Sequence, residues 1–566
     1  KKRRVAFRNI KAAFPDKGSG EVRLILKKSF ANFGLTVIET LIAPRVRKYL
    51  TFNEPQNEYP DGGVFVGIHA GSWEVVMSSW AQKYKLAVLA REQKHKGLDN
   101  FLTELRQESK IRVCFSAKEL IKCIRDNYMV GVVIDHGAED DALEIEFFSH
   151  LVPTPKGGVY LAKKFNKKIY TQFCHRQKGF HNIAEFSKAI DPAGRDEKEV
   201  LTQLNKIYEK YLQQYPWEYL WYYKRFKRKI NRDVVILSDE KLGHLKQSKA
   251  LLELLSDGGY EIRSKIVEVK FKDKFRRLLA DILAFIFGKD CLLAGRFLPF
   301  LVDKKTWQEL DGVYADIVIS TGSFTAPLNK LFSSYLGAKS VTILRPNIPL
   351  SSFDLAIIPE HDRLQADNAV MIKGALFCPT NLEEKVKKCK EYFNLSDGKK
   401  IAVFLGGPLS EEKKFMENLK IFISKLKDFS LRKNYKLLIS SSRRTPGLAQ
   451  DYLEQELKNF ENTEALVIAN RSNPDFVFDG FGALAELVFV SSESISMVSE
   501  IASLQKVCVC YCLELEDDKR KVFLNSLKGE VTLLHSPYDL GHIESRASSI
   551  LARNQKVVKE AIGKLL

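Results

Sequence analysis

Three segments of the chain share one pattern, in which a short apolar strand runs into a turn and then into an amphipathic helix. They are GVFVGIHAGSWEVV from residue 63, DVVILSDEKLGHLKQS from residue 233 and IAVFLGGPLSEEKKF from residue 401. Other strand and helix patterns alternate between and around them. Repeated strand–helix alternation predicts an α/β protein built from layered sheets.

The positions of these units divide the 566-residue chain into domains. The basic segment KRFKRKINRD precedes the second unit, and the polar segment NLSDGKK precedes the third. We therefore predict an N-terminal α/β domain over residues 1–230, followed by two Rossmann-like lobes over residues 232–390 and 396–566.

The charge of the chain indicates an acidic partner. Lys and Arg outnumber Asp and Glu, and the formal net charge is +19. Nucleic acid, an anionic membrane surface and an acidic protein would each fit such a charge. The chain has neither zinc-finger spacing nor an RNP-like aromatic strand, which argues against nucleic acid.

One apolar segment, RRLLADILAFIFGKDCLLAGRFLPFLV over residues 276–302, is too interrupted by charges to span a bilayer. Two interpretations stay open. The segment could lie in an anionic membrane interface, since KFKDKFRR leads into it, or it could form an ordinary pair of core helices. Because the chain begins at Lys1 rather than at methionine, we also expect a further N-terminal segment, which could include a membrane anchor.

The cysteines indicate a reducing compartment. None of the nine belongs to a C-x-x-C pair. Cys508, Cys510 and Cys512 alternate along one strand, which favours a packed apolar face over a metal site. We predict no bound metal.

The segment GIHAGSWE places His69 after a strand and Glu74 in the first turn of the next helix, with Gly71 allowing a tight turn. This spacing would let Glu74 orient the imidazole while His69 takes a proton from an alcohol. From spacing alone, a structural histidine with an exposed helix glutamate is the other interpretation.

Residues 1–230 resemble the bacterial lipid A lauroyl/myristoyl acyltransferase family, whose His-x4-Asp/Glu motif is carried by His69 and Glu74. The opening RRVAFRNIKAAFP and the closing YPWEYLWYYKRFK are similar to the family's end segments. Further positions that match the family pattern are Arg91, Arg106, Asp135, Phe147, Phe148, Pro153, Thr154, Pro155, Gly157, Pro216, Trp221, Arg225 and Lys227. Departures from the pattern are Ser72, His136 and Tyr223, which leave acyl-chain and acceptor preference open.

The resemblance implies a glycerolipid-acyltransferase-like α/β domain that transfers an acyl group from an acyl carrier protein thioester to a glycolipid hydroxyl. It places this reaction at the cytoplasmic face of the bacterial inner membrane. His69 would be the base, Glu74 its orienting carboxylate, and Arg91 a ligand for acceptor charge or for the oxyanion. Arg106 is expected to form a structural ion pair.

Three loops of the last lobe follow apolar strands, where open α/β sheets bind ligands. We expect Gly406 and Gly407 to admit a phosphate at a helix start, and Glu500 to accept hydrogen bonds from a ribose. The donors predicted for a diphosphate are Ser442, Arg443, Arg444 and Thr445. Ser494 and Ser496 are predicted to lie at a helix N-terminus of the same site. Together the loops favour a nucleotide-sugar site over plain turns.

In the preceding lobe, Asp239 and His244 lie in the first strand-to-helix loop and are candidate catalytic residues. For His244, a helix-start residue without chemistry is the alternative. Residues 232–566 resemble the GT-B glycosyltransferases named after the plant mitochondrial-fission Elm proteins, on LSDEKLGHLKQS, FLGGP, SSRRTP and SSESISMVSEIA. Glu240 departs from the glycine usual after the aspartate.

These observations predict a bifunctional envelope-glycolipid enzyme that combines acyl transfer with glycosyl transfer. Its substrates would be an acyl carrier protein thioester, a nucleotide sugar and a lipid A-type acceptor, without a separate cofactor. The alternative is an acyltransferase whose C-terminal half binds a glycolipid or a partner without catalysis.

Overall fold

The computed structural model describes residues 2–53, 62–90, 96–135, 142–289, 291–514, 518–541, 543 and 547–566. The chain forms two compact units. Unit 1 comprises Lys1–Arg232 and Trp307–Ala315, and unit 2 comprises Asp233–Thr306 and Asp316–Leu566.

Unit 1 is an α/β domain. Its helices are α1 (Lys2–Ala13), α2 (Ser19–Leu41), α3 (Ala43–Val46), α4 (Trp73–Trp80), α5 (Lys96–Glu108), α6 (Ala117–Arg125), α7 (Gly157–Lys164) and α8 (Glu197–Gln214). Its strands are β1 (Leu50–Asn53), β2 (Gly63–Gly67), β3 (Leu86–Leu89), β4 (Ile111–Cys114), β5 (Met129–Val133), β6 (Leu143–Phe147), β7 (His150–Thr154), β8 (Ile169–Lys178) and β9 (His181–Phe186).

The described strands of unit 1 form a seven-stranded sheet in the order β1-β9-β8-β2-β5-β3-β4 and a separate β6–β7 hairpin. In the large sheet, β8 and β9 pair antiparallel, whereas β2 pairs parallel with both β5 and β8. Val64, Val66 and Val130 are fully buried at the centre, as expected for strands covered on both faces. The ends of β2 and β5 therefore lie side by side.

The segment Trp307–Ala315 belongs to unit 1, although the predicted domain limits placed it in the second domain. Its contacts with the start of the chain are polar. The Arg8 Nε donates to the Tyr314 hydroxyl at 3.1 Å, and the Ser19 amide donates to Asp311 Oδ1 at 3.0 Å. Such long-range contacts cannot be deduced from local patterns.

Unit 2 contains two further sheets. Its helices are α9 (Leu242–Ser256), α10 (Lys274–Ile286), α11 (Leu298–Leu301), α12 (Lys304–Asp311, whose end lies in unit 1), α13 (Ala326–Leu336), α14 (Leu382–Phe393), α15 (Glu412–Lys433), α16 (Gly447–Leu457), α17 (Val477–Leu484), α18 (Ile495–Ala502), α19 (Asp518–Ser526) and α20 (Ile550–Leu565).

The strands of unit 2 are β10 (Arg232–Ser238), β11 (Ile262–Glu268), β12 (Ile317–Thr321), β13 (Lys339–Ile343), β14 (Leu355–Pro359), β15 (Ala369–Ile372), β16 (Lys400–Phe404), β17 (Lys436–Ser440), β18 (Thr463–Val467), β19 (Leu487–Ser491), β20 (Val507–Tyr511) and β21 (Thr532–Leu534). Among the described residues, they form two six-stranded sheets, β11-β10-β12-β13-β14-β15 and β18-β17-β16-β19-β20-β21. The predicted α/β fold with two Rossmann-like lobes is confirmed.

Two helices pack against the sheet of the other lobe. Val558 and Ile562 of α20 belong to the same core cluster as Val234 of β10. Cys389 of α14 shares a core with Phe481 of α17 in the last lobe. The predicted lobe limits, 232–390 and 396–566, follow the two sheets but not these two helices.

The prediction for the three alternating cysteines can be compared with the fold. Cys508, Cys510 and Cys512 are buried in one hydrophobic cluster, which confirms the packed apolar face. In the part of the chain that the structure describes, no group of three or more His, Cys, Asp or Glu residues could hold a metal ion. Among the described helices, none has the length and apolarity needed to cross a membrane.

Candidate functional site

His69 lies two residues beyond the end of β2, in a turn held from two sides. Its amide donates to Asp135 Oδ2 at 2.8 Å, and its carbonyl accepts from the Leu220 amide at 3.0 Å. Gly71 in this turn has a φ of 61°, and a Cβ there would lie 1.9 Å from the Cys174 carbonyl oxygen. Only glycine fits this position, so the turn brings His69 to a defined place at the sheet edge.

The carboxylate that orients the imidazole is Asp135. It follows β5, the neighbour of β2, and its Oδ1 lies 2.9 Å from His69 Nδ1. Asp135 thus bonds both the backbone and the ring of one residue, which fixes the ring's position. With Nδ1 donating to Asp135, the neutral imidazole accepts a proton at Nε2.

The two groups shift each other's pKa. Burial disfavours the charged form of His69, but the adjacent Asp135 carboxylate outweighs it, so the pKa of His69 is raised above the ordinary 6.5. Burial likewise disfavours the charged Asp135, yet His69 and its amide lower the pKa of that carboxyl to about 2. The pair therefore contains an ionised aspartate and a histidine of increased basicity.

Glu74 does not orient His69, and that prediction is wrong. Its carboxylate bonds Arg106 of α5, with Arg106 Nε 3.2 Å from Oε2 and Nη2 contacting Oε1. The reason is the direction of the Glu74 side chain, which extends from the first turn of α4 towards Arg106 of α5 rather than towards His69. The ion pair expected of Arg106 is confirmed, and Glu74 affects His69 only through its negative charge, which helps to raise the pKa of His69.

Aromatic rings contact His69 in edge-to-face geometry. The Trp73 and Tyr223 ring centroids lie 5.4 Å and 5.0 Å from that of the imidazole. Tyr223 belongs to the closing aromatic-basic segment, where Arg225 is buried and its Nη1 donates to the Ile134 carbonyl at 2.7 Å. The closing segment therefore forms part of the site and supports the residue before Asp135.

Two positions noted in the sequence of unit 1 have no structural description. Arg91 and His136 lie outside the described residues. Asp135 was part of the family pattern but had no predicted role, because its function depends on β5 lying beside β2. The position of Tyr223 against His69 likewise depends on the chain returning to the sheet edge, 154 residues after the histidine in sequence.

Unit 2 contains a second histidine–aspartate pair. His244 Nδ1 lies 3.0 Å from Asp239 Oδ2 and 3.1 Å from Oδ1, and the Asp239 side chain is only 4% exposed. Gly322 packs against the imidazole, since a Cβ there would lie 2.7 Å from His244 Cε1. Glu240, which replaces the usual glycine, adopts a φ of 66°, so the loop keeps the left-handed turn that favours glycine.

The three predicted donor loops meet at the edge of the last sheet. The Gly406 amide donates to Ser491 Oγ at 2.7 Å, and Thr445 Oγ1 donates to the Gly406 carbonyl at 2.7 Å. A Cβ on Gly407 would lie 2.1 Å from the Arg444 carbonyl oxygen. Ser442 bonds Thr445 within the middle loop, its amide donating to Oγ1 at 2.9 Å. The close packing between these loops therefore explains why glycine is found at positions 406 and 407, since a side chain at either position would clash with a neighbouring segment.

A carboxylate, that of Glu514, binds the loop between Gly407 and α15, close to where a phosphate was predicted. Glu514 accepts from the Leu409 amide at 2.8 Å and from the Glu411 amide at 3.0 Å, in the loop that leads directly into α15. A carboxylate there satisfies the open amides and complements the helix dipole. Glu514 therefore already binds part of the loop between Gly407 and α15, and the phosphate site at Gly406 and Gly407 stays a prediction.

The start of α18 has the other predicted donors. The Ser494 and Ser496 hydroxyl oxygens lie 3.5 Å apart, and Arg444 Nη2 donates to the Glu493 carbonyl at 3.4 Å. Arg520, which sequence reasoning missed, donates to the same carbonyl at 3.3 Å. Arg443 is exposed in the neighbouring loop. Hydroxyl groups and arginines therefore gather at this helix start rather than at α15.

Glu500, the predicted ribose acceptor, bonds Lys246 of α9, whose Nζ lies 2.8 Å from Oε2. The pair links a helix of one lobe with a helix of the other. Burial raises the pKa of Glu500 above its usual range, and Lys246 opposes that shift. A ribose would have to compete with this ion pair for the carboxylate.

Comparisons with known proteins cover both halves of the chain. Residues 1–228 match the family described as bacterial lipid A biosynthesis acyltransferase, and residues 242–560 match the family described as mitochondrial fission ELM1. The chain is 24% identical over 343 residues to an uncharacterized protein, RP120, of Rickettsia prowazekii, covering 52% of this chain and 88% of that protein.

Solved structures with a similar arrangement are distant in sequence. The UDP-GlcNAc 2-epimerase of Methanocaldococcus jannaschii is 11% identical, with a TM-score of 0.33, covering 59% of this chain and 98% of the other. The ADP-heptose lps heptosyltransferase II of E. coli is 12% identical, with a TM-score of 0.34 and the same coverage of both chains.

The limits of the two family matches agree with the division of the chain into two units. The acyltransferase match ends four residues before the division at Arg232, and the other match begins in the first helix of unit 2. The second match spans more than half of the chain. The protein therefore belongs to the mitochondrial fission ELM1 family, with a bacterial lipid A biosynthesis acyltransferase segment fused at its N-terminal side.

Proposed function

We propose that unit 1 transfers an acyl group from an acyl carrier protein thioester to a hydroxyl of a lipid A-type glycolipid, with His69 as general base. The single observation that supports this most is the buried His69–Asp135 pair at 2.9 Å. An imidazole that is oriented in this way takes the proton of an alcohol and needs no nucleophilic serine or cysteine.

In the proposed step, His69 Nε2 removes the proton of the acceptor hydroxyl while the hydroxyl oxygen attacks the thioester carbonyl carbon. The tetrahedral intermediate then loses its carbon–sulfur bond, and the imidazolium returns the proton to the leaving thiolate. The products are an ester and a free carrier thiol, so the reaction balances without a cofactor. Asp135 stabilises the imidazolium between the two proton transfers.

The remaining parts of this proposal rest on sequence. Arg91 is assigned to acceptor charge or to the oxyanion on its family position alone. The net charge of +19 supports an acidic carrier protein, a phosphorylated glycolipid and an anionic membrane as partners. The cytoplasmic face of the bacterial inner membrane is proposed on the family resemblance alone.

For unit 2 we propose glycosyl transfer from a nucleotide sugar, with His244 and Asp239 as base and orienting carboxylate. The 3.0 Å contact between them supports this role, because it matches the geometry of the proton-accepting pair in unit 1. The hydroxyls and arginines at the start of α18 are proposed to bind the donor diphosphate.

A second candidate for unit 2 is a non-catalytic module that binds a glycolipid or a partner. Two observations favour it, namely the bonds of Glu514 to amides of the loop before α15 and the bond of Lys246 to Glu500. Both place protein groups where a donor nucleotide was predicted. Calorimetric titration with nucleotide sugars separates the candidates, since a catalytic lobe must bind a donor.

The test of both proposals is mass spectrometry of lipid A precursors incubated with the protein, an acyl carrier thioester and a set of nucleotide sugars. We expect an added acyl mass that His69→Ala abolishes and an added sugar mass that His244→Ala abolishes. Each variant is the control for the other, because each must keep the activity of the untouched unit. An acyl mass that persists in His69→Ala would refute the base assignment.

A further inference from the structure

Helix α10 has most of its large apolar side chains on the outside. Its exposed residues lie at positions i, i+3, i+7, i+10 and i+11 and so form one stripe. They are Phe275 at 68% exposure, Leu278 at 58%, Ile282 at 49%, Phe285 at 74% and Ile286 at 65%. The face towards the protein contains Ala280 and Ala284, which are buried. A surface helix ordinarily has the opposite arrangement, with the large apolar stripe facing the core.

The apolar surface continues beyond the helix. Phe287 lies 5.4 Å from Phe297 between ring centroids, which brings the next segment beside the end of α10. Leu293, Phe297 and Phe300 in that segment are 53%, 38% and 45% exposed. The α10 surface, defined here as the exposed stripe of α10 with these three residues, is therefore a continuous apolar face rather than scattered single residues.

Exposed basic residues flank this face along the sequence. Lys272, Lys274, Lys289 and Arg296 are exposed in the same segment. Its described acidic residues on α10 and at its start are paired, with Asp273 bonded to Arg276 and Asp281 Oδ1 2.6 Å from Arg277 Nη1. The described charges around the α10 surface are therefore predominantly positive and suited to an anionic partner.

We infer that the α10 surface docks unit 2 onto an anionic lipid bilayer. An apolar stripe flanked by lysine and arginine lies in the plane of a membrane interface, with its large side chains below the headgroups and its cations among the lipid phosphates. Of the two interpretations of this segment left open by the sequence, the core-helix pair is wrong for α10, because its large side chains are exposed. This inference rests on the proposed function in one respect: docking matters for catalysis only if the acceptor is a membrane glycolipid.

The test is sedimentation of the full chain with vesicles of equal parts phosphatidylcholine and phosphatidylglycerol. The variant combines Phe275→Ser, Leu278→Ser and Phe285→Ser, and we expect its affinity to fall roughly tenfold or more. The matched control combines Ile421→Ser, Leu431→Ser and Leu448→Ser, which remove exposed apolar side chains from α15 and α16. The control should bind as the wild type does.

The charged part of the surface has its own test. Lys274→Glu and Arg296→Glu should each weaken binding by roughly fivefold, and added salt should reduce the difference. Pure phosphatidylcholine vesicles should bind the wild type more weakly than the mixed vesicles do. Equal binding to both kinds of vesicle would contradict the selection for anionic lipid.

Three outcomes would overturn the inference. The wild type could fail to bind the mixed vesicles, or the triple serine variant could bind them as tightly as the wild type. The triple variant could instead abolish self-association measured by ultracentrifugation without vesicles, which would make a second copy the occupant. Thermal unfolding of the variant verifies its fold, and the exposed positions predict little change.

These experiments distinguish a failure of the membrane-docking inference from a failure of the proposed reaction. His69→Ala should bind vesicles as the wild type does, because His69 lies in unit 1 and α10 in unit 2. Activity on a detergent-dissolved acceptor should persist in the triple serine variant. A variant that loses vesicle binding but keeps its activity has lost membrane docking alone. A variant that keeps vesicle binding but loses its activity has lost the proposed reaction alone.

Discussion

His69 and Glu74 in unit 1 stand five residues apart, and so do Asp239 and His244 in unit 2. The pair in unit 2 is in contact, at 3.0 Å. In unit 1 the histidine instead bonds Asp135, which is 66 residues away, while Glu74 bonds Arg106. The same spacing therefore leads to a local pair in one unit and to two long-range pairs in the other.

The order of the residues explains the difference. In unit 2 the carboxylate comes first, in a loop that turns back at Glu240, and His244 follows in the first turn of α9. In unit 1 the histidine comes first, and the turn at Gly71 sends Glu74 into α4, facing α5. The His69 ring then lies at the end of β5, where Asp135 is the adjacent carboxylate.

The comparison teaches that a spacing motif identifies candidate residues but not their partners. When a helix follows a strand, the loop that joins them sets the direction in which the side chains of the first helical turn extend. The partner of a strand-end histidine is then decided by the neighbouring strand. The following predictions test whether the two pairs act as this comparison implies.

The largest expected effect separates the two histidines. His69→Ala should lower acyl transfer roughly 10²- to 10⁴-fold, because the general base is lost. His244→Ala should leave acyl transfer unchanged and lower glycosyl transfer. Initial rates with an acyl carrier thioester and a lipid A precursor provide the measurement. A similar loss of acyl transfer in both variants would contradict the assignment of separate sites.

Asp135→Asn tests the long-range partner of His69. We expect acyl transfer to fall about 10²-fold, because the ring loses its orienting carboxylate. The raised pKa of His69 puts the acid limb of the wild-type profile above pH 6.5, since the base must be neutral. Without Asp135, burial remains and lowers the pKa of His69, so the acid limb should move to lower pH.

The same pH profile measured with Glu74→Gln is the control for that shift. Its acid limb should move less than that of Asp135→Asn, because Glu74 acts on His69 only at a distance. A larger shift with Glu74→Gln than with Asp135→Asn would restore Glu74 as the principal partner. This outcome would reverse the distinction between the two units.

Glu74→Gln should instead act on stability. Arg106 would lose its bonded carboxylate in a largely buried setting, so the free energy of unfolding should fall by about 2 kcal/mol. Urea unfolding of the full chain followed by circular dichroism measures the change. In the double variant Glu74→Gln, Arg106→Gln the loss should be less than the sum of the single losses.

The smallest expected effect concerns the Lys246–Glu500 pair. Lys246→Met frees the carboxylate, so a nucleotide sugar that bonds Glu500 should bind about two- to fivefold more tightly. Glu500→Gln should bind it more weakly. Calorimetric titration measures both. Unchanged affinity in both variants would favour the binding-module candidate for unit 2.

Local patterns were sufficient for much of the fold. The strand–turn–helix units at residues 63, 233 and 401 each appear as predicted, because an apolar strand, a turn and an amphipathic helix are each specified by residues close together in sequence. The His244–Asp239 contact could also be anticipated, since both residues lie in one loop and the first turn of one helix. The ion pair of Arg106 was expected, although its partner was not.

The exchanged helices could not be predicted in the same way. The two sheets of unit 2 are recognisable along the chain, but α20 packs on the first sheet, and α14 packs with α17 of the last lobe. The side chains of Val558 and Cys389 show only that each helix has an apolar face. Which core receives that face depends on the position of elements far away in sequence.

By itself the sequence determined the α/β class, the two-part organisation and His69 as the candidate base, because apolar period, turn residues and motif order are local properties. Only the tertiary structure decided that Asp135 orients His69, that Glu514 binds the loop before α15 and that most of the large apolar side chains of α10 face outward. Each of these depends on which distant side chain fills the space next to a given residue, and that space exists only once the sheets have assembled.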